Sequence, residues 1–292
     1  MTLSLFLIKL LNKLKIINYF NLSETILLNN QKFKIPIIGG LGLSNLYMSE
    51  PWMVDLLKII TPIANDKFID VGVNVGQTLI KLKSVNQNID YVGFEPNPSC
   101  VNYVNELVKQ NSFKNITLIP VGISEKNEIG ELVFFYASKA DSSASIIENF
   151  RPNQAIHRKE YIPIFDVQTI KKTTHLENLS IIKIDVEGAE LEVIRGFKED
   201  IKNCHPILMV EILPSYNIEN IVRINRQQEI ESILKEFNYK MYSVIKENEK
   251  FIDFKEIETF EIHGDLNACE YVFVPLAKNE AFKTSIENFK NL

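Results

Sequence analysis

Apolar positions along the chain change their spacing in a regular way. Short β-branched runs alternate with stretches in which apolar residues recur every three or four positions, the rhythms of strands and of helices. The strand-like runs are FIDVGVN (68–74), YVGFEPN (91–97), ITLIPVGIS (116–124), SIIKIDV (180–186), PILMVEIL (206–213), KMYSVIK (240–246) and EYVFVP (270–275). Between them VGQTLIKLKSV, CVNYVNELVKQ and a long segment around IVRINRQQEIESILKEF have helical spacing. In IIKIDVEGAELEVIRGF (181–197) the strand rhythm gives way to a helical one at Ala189, Val193, Ile194 and Phe197. This alternation predicts an α/β protein with a doubly wound, mostly parallel sheet and right-handed crossovers.

The flanking segments read differently. MTLSLFLIKLLNKLKIINYF (1–20) predicts an amphipathic helix carrying Lys9, Lys13 and Lys15. It holds no uninterrupted apolar span of membrane length, its charges follow the apolar part and no small-residue cleavage pattern follows, so neither a membrane span nor a signal peptide is expected. The helix is expected to pack on its own domain or on a second copy in a homodimer, with a peripheral membrane contact as the other reading. FKIPIIGGLGLSN reads as extended, and SEPWMVDLLKII as a helix with Ser49 as cap and Pro51 in its first turn. ELVFFYAS looks like part of a hairpin, and the polar stretch from Lys139 to Lys159 lacks periodicity. The expected organisation is an extension over 1–46 and a domain over 47–292, in which an insertion at about 127–165 covers the site as a lid.

Composition narrows the options. With 292 residues and 46% hydrophobic content the chain can bury a full core, and its net charge of −5 argues against nucleic acid as main partner. Cys100, Cys204 and Cys269 lie too far apart for a disulfide framework or paired-cysteine zinc site, which fits a reducing cytoplasm. The four histidines, His157, His175, His205 and His263, have no metal-ligand spacing.

Candidate chemistry gathers at strand ends, where open α/β sheets bind ligands. DVGVNVG (70–76) places Gly72 and Gly76 between a strand and a helix, and Glu95 closes the next strand, suited to accept both hydroxyls of a ribose. Together they indicate an adenosine cofactor, either S-adenosylmethionine or a nicotinamide dinucleotide. Asn74, where the dinucleotide fingerprint has its second glycine, disfavours the latter. Asp185 and Glu187 end the strand of the central motif and Glu211 the following one; a carboxylate there can take the proton of a hydroxyl nucleophile. The three acids would also admit magnesium, though a metal-free site is favoured, and the first two could instead cap the helix that follows. Lys183, inside the strand, should pair with a neighbouring carboxylate. In the insertion, Arg151, His157, Arg158 and Lys159 form a basic cluster expected to meet substrate, and Ser142, Ser143 and Ser145 offer hydroxyls to cofactor or acceptor.

FIDVGVNVGQT, FEPNP, ITLIPVGIS and above all IIKIDVEGAELEVIRGF resemble the FkbM family of S-adenosylmethionine-dependent methyltransferases, over roughly residues 47–213. The resemblance implies a Rossmann-like class I methyltransferase sheet of seven strands whose last, here EYVFVP, runs antiparallel. It implies O-methylation of a hydroxyl on a sugar, glycan or related small molecule. Asp70, Gly72, Asn74 and Gly76 match the loop that holds the methionine end of the cofactor, Glu95 the ribose-binding acid, and Val121, Gly122 and Ser124 the stretch beside the adenine. A nicotinamide-dependent oxidoreductase and a noncatalytic cofactor-binding scaffold remain the alternatives at this point.

Overall fold

A computed structural model describes residues 3–147 and 154–291. The chain opens with helix α1 (Leu3–Lys13) and a hairpin of β1 (Asn21–Leu28) and β2 (Gln31–Ile38). Asn29 and Asn30 turn that hairpin with positive φ at both positions, as a two-residue primed turn requires. Helices α2 (Leu43–Tyr47) and α3 (Trp52–Ile60) follow. The alternation then unfolds as β3 (Lys67–Val71), α4 (Gln77–Val85), β4 (Asp90–Phe94), α5 (Pro98–Asn111) and β5 (Ile116–Ile119). An insertion contributes β6 (Gly122–Ile123), β7 (Glu128–Phe134) and β8 (Arg158–Phe165). After α6 (Val167–Lys171) come β9 (Leu179–Ile184), α7 (Glu190–Gly196), α8 (Lys198–Cys204), β10 (Ile207–Glu211) and α9 (Ile221–Glu236). The last elements are β11 (Tyr239–Glu247), β12 (Lys250–Ile257), β13 (Glu270–Pro275) and α10 (Asn279–Lys290).

The main sheet runs β5-β4-β3-β9-β10-β13-β11-β12. Neighbours from β5 to β10 are parallel, whereas β13 lies antiparallel between β10 and β11. The order reverses between β3 and β9, and this switch point is where a ligand crevice is expected. All six residues of β9 are buried. Ile181 belongs to the core beneath α3, α4, α5 and α10, and Ile182 and Ile184 to the core on the other face, under α7, α8 and α9. Burial on both faces is why this strand reads as a continuous aliphatic run.

The N-terminal extension shares the first of these cores. Ile8, Leu11, Phe33, Ile35 and Ile37 cluster with sheet residues, and the Tyr103 hydroxyl of α5 donates to the Pro36 carbonyl at 2.9 Å.

Three sequence expectations need correction. ITLIPVGIS is not one strand: Pro120, which has no N–H for a ladder, separates β5 from β6, and these lie in different sheets. Ser49 does not cap α3, which starts behind Pro51 without a side-chain cap; its hydroxyl accepts from Gln77. The sheet also has an eighth strand, β12, hairpinned onto β11. Arg151, from the expected basic cluster, lies outside the described residues.

Candidate active site

The switch point is stitched by backbone bonds. Gly72 turns the chain away from β3 with φ +89°, and a Cβ on it would lie 1.8 Å from the Asp185 carbonyl oxygen, so the two loops cross in contact. The Asp185 N–H donates to the Val71 carbonyl at 3.0 Å, and the Gly72 N–H to the Phe94 carbonyl at 3.0 Å. Asn74 also has positive φ, and its N–H donates to Glu95 Oε2 at 2.7 Å, while the Asn97 N–H donates to Oε1 at 2.8 Å. The Glu95 carboxylate is thereby fixed at the end of β4 by one amide on each oxygen.

These loops wall a cavity of about 520 Å³. It gathers Gly72, Asn74, Glu95, Gly122, Asp185, Glu187 and Glu211 from the sequence-predicted set. Ser142 and Val121, both expected there, also face it; Gly40 to Ser44, Glu50 and Asn97 line it without having been expected. Asn97 had a readable signal, being an N-cap with Pro98 at the first helical position, and its side chain accepts from the Ser99 N–H. Glu50 comes from a turn with no periodicity.

The other predicted residues do not line it. Asp70 is fully buried behind the loop, where it accepts from the Tyr91 hydroxyl at 2.7 Å and lies 3.3 Å from Lys183 Nζ. Gly76 starts α4 with φ +73°. Ser124 is buried with its carbonyl against Gly196 and its N–H on Phe165. Ser143 is absorbed by a turn: Asp141 Oδ1 accepts its N–H and hydroxyl, while Oδ2 accepts the Phe135 and Tyr136 N–H groups.

The expected lid is a small sheet, β6-β8-β7. Leu132, Ala144 and Ile146 present its inner side to the cavity. Ser145 ties it down, its fully buried hydroxyl donating to the Glu187 carbonyl at 2.7 Å. The described members of the basic cluster do not line the cavity, and Arg158 meets it only through Nη1, which donates to the carbonyl of Ser138 in its wall at 3.2 Å. Arg158 lies over the Phe134 ring and pairs with Glu160 at 2.8 Å; Lys159 pairs with Glu131 at 2.6 Å; the His157 side chain is exposed, its N–H continuing the ladder to Phe134.

Charge in the cavity is organised around Lys183. Its ammonium lies 3.0 Å from Asp185 and 3.3 Å from Asp70. Burial alone would lower its pKa, but the two carboxylates outweigh that and raise it, so it stays charged. Burial raises Asp70, offset in part by Lys183 and Tyr91. The Asp185 charge, helped by burial and by Glu187, pushes Glu211 up to about 10, so Glu211 is protonated at neutral pH. Burial raises Glu95 to about 7 against the pull of its two amide donors. Where α7 begins, the Gly188 N–H donates to Glu190 at 2.7 Å; the helix starts at Glu190 rather than at Gly188. Among the described residues no three His, Cys, Asp or Glu side chains are grouped to hold a metal ion.

A parallel sheet with this switch point, a glycine loop, a strand-end carboxylate and an antiparallel strand inserted near the far edge is a class I methyltransferase fold. The chain belongs to the FkbM methyltransferase family: the family profile described as Methyltransferase FkbM domain matches residues 70–241, more than half its length. It is similar to Methyltransferase 1 of Beauveria bassiana (strain ARSEF 2860), with 20% identity over 176 residues, 56% of this chain and 71% of that protein. It is also similar to methyltransferase sdnD of Sordaria araneosa, with 23% identity over 163 residues, 47% of this chain and 62% of that protein. The solved FkbM methyltransferase of Methylobacillus flagellatus KT superposes with a TM-score of 0.45 at 15% identity, over 72% of this chain and 43% of the other. The chain thus spans less than half of that solved protein. Membership in this family replaces the nicotinamide-dependent alternative.

Proposed function

We propose that the protein transfers a methyl group from S-adenosylmethionine to a hydroxyl of a sugar, a glycan or a related small molecule. The observation that carries this reading is the joint presence, in one cavity, of the pinned Glu95 carboxylate and the Lys183-anchored Asp185.

The residues fit the cofactor. Each Glu95 oxygen uses one lone pair on a backbone amide and keeps another for one of two adjacent ribose hydroxyls. The Gly72–Asn74 loop, whose left-handed backbone leaves no room for a Cβ at Gly72, would hold the methionine end, and Val121 and Gly122 would border the adenine. When bound, S-adenosylmethionine supplies an electrophilic methyl group.

The chain's own groups complete the chemistry. Lys183 holds Asp185 through Oδ2, which leaves Oδ1 as the atom to accept the proton of an acceptor hydroxyl. Glu211, raised by the Asp185 charge and by burial, would not compete for that proton and could offer its own to an acceptor oxygen. Glu50, Glu187, Ser44 and Ser142 line the same cavity with carboxylates and hydroxyls, a lining suited to a polyhydroxylated acceptor. Leu132, Ala144 and Ile146 exclude water on the lid side.

Two measurements test this. S-adenosylhomocysteine should raise the melting temperature while the oxidised dinucleotide does not. Methyl-labelled cofactor should pass label to free sugars or glycans but not to the same compounds with blocked hydroxyls; label on the blocked forms would remove the O-methyl reading.

A further inference from the structure

Helix α1 is apolar on two opposite sides. Ile8 and Leu11 are 0% and 8% exposed, whereas Phe6, Leu7, Leu10 and Leu14 are 51%, 42%, 41% and 57% exposed. At about 100° per residue the four exposed side chains form one stripe about 100° wide, with Ile8 on the far side and Leu11 at the stripe's inner edge. Lys9 and Lys13 lie on the exposed surface beside the stripe, Lys15 follows in a left-handed turn, and Tyr19 and Phe20 extend the exposed apolar surface. No Asp or Glu occurs before Glu24, although the whole chain carries a net charge of −5.

We infer that this face of α1 docks on an anionic lipid bilayer surface. The aliphatic stripe enters the boundary between headgroups and acyl chains, and lysine stems lying along it carry their ammonium groups up to the lipid phosphates. Among the described residues no helix is long and apolar enough to cross a membrane, so α1 lies on the surface. Charge argues against a second copy as the occupant. An antiparallel two-fold pairing through the same stripe would bring the Lys9 and Lys13 flanks of both copies to one side, with no carboxylate on the helix to offset them.

The turn after α1 reaches the wall of the cavity. Asn18, in the turn after α1, packs so closely on Gly40 that a Cβ there would lie 2.2 Å from its Oδ1, and Gly40 is part of the cavity wall.

Co-sedimentation of the purified full chain with vesicles tests the inference without using the cofactor or any acceptor. The chain should pellet with vesicles containing phosphatidylglycerol, stay in solution with pure phosphatidylcholine, and be released by high salt. Lys9→Ala and Lys13→Ala should each weaken binding about fivefold. Leu7→Ser with Leu10→Ser should abolish it with the chain still folded and the melting temperature lowered by only a few degrees, since both side chains are more than two-fifths exposed. Failure of the wild type to pellet with anionic vesicles, or equal binding to neutral ones, overturns the inference. So does a lipid-free dimer in sedimentation velocity that the same leucine changes dissolve, which would assign the face to a second copy.

Discussion

The carbonyl oxygen of Asp185 occupies the space that a side chain on Gly72 would need, with only 1.8 Å to a Cβ built there. The Gly72 loop and the Asp185 loop are therefore one packed unit, and neither moves without the other. Gly72→Ala should destabilise the fold by about 3 kcal/mol or more, through the clash and the positive φ together. Denaturant unfolding measures this. A variant of wild-type stability would show that the crossing of the loops is looser than the contact indicates.

Binding of S-adenosylhomocysteine should depend on pH through Glu95. Burial raises this carboxyl to about 7 from an ordinary value of 4.5. The unliganded fold therefore holds a proton that the unfolded chain has released. The group's contribution to stability is fully present below pH 4.5 and is lost as pH rises through 7. Ligand binding has the opposite sign, because two ribose hydroxyls and two amides need the ionised form. Affinity should fall up to about tenfold per unit as pH drops below 7. Calorimetric titration at pH 8, 7 and 6 checks it, and Glu95→Ala should weaken binding by about 1 to 3 kcal/mol at pH 8.

Asp185→Asn removes the charge at nearly constant shape. Turnover should fall about a hundredfold or more with cofactor affinity retained. Glu211, whose elevation comes first from the Asp185 charge, should then titrate lower, which a pH–rate profile would display. A chelator should leave wild-type turnover unchanged, and activity lost to it and restored by magnesium would assign these acids to a metal.

Lys183→Met would leave Asp70 and Asp185 without their shared cation. Removing one partner of a buried ion pair is expected to cost about 3 to 5 kcal/mol. Thermal unfolding would register it as a large drop in melting temperature, whereas an unchanged value would mean that Asp70 is protonated and needs no partner.

Arg158→Ala and Lys159→Ala should leave the acceptor KM unchanged, because neither side chain lines the cavity: Arg158 is held by Phe134, Glu160 and the Ser138 carbonyl, and Lys159 by Glu131. Ser145→Ala should behave differently. It unfastens the lid from the Glu187 carbonyl and should cost about 1 kcal/mol and lower kcat. Steady-state kinetics on the three variants tell the two regions apart.

The part of the cavity wall that is legible in the sequence has local signatures: an aliphatic run ending in Asp185, a glycine turn at Gly72, and a lone acid closing the next strand at Glu95. What is not legible depends on direction. The charges of Arg158 and Lys159 are visible in sequence, but their partners are not: Arg158, on the face it shares with Leu132, is held by Phe134, Glu160 and the Ser138 carbonyl, and Lys159, on the opposite face, by Glu131. Glu50 reaches the cavity from a turn without pattern, and Asp141 organises its loop through four bonds that no spacing announces. Pro120 and the Asn29–Asn30 pair did carry signals, for a strand break and for a hairpin.

Strand β13 joins the sheet in the middle although it is made almost last. Until residues 270–275 are in place, β10 and β11 each present a bare edge, and β11 and β12 are a hairpin without a connection to the parallel sheet. A ribosome-bound chain ending before that point holds two open templates for pairing with other molecules. Closure of the sheet is therefore a late, long-range step. Chains truncated ahead of Glu270 should aggregate on synthesis rather than accumulate as a smaller folded enzyme.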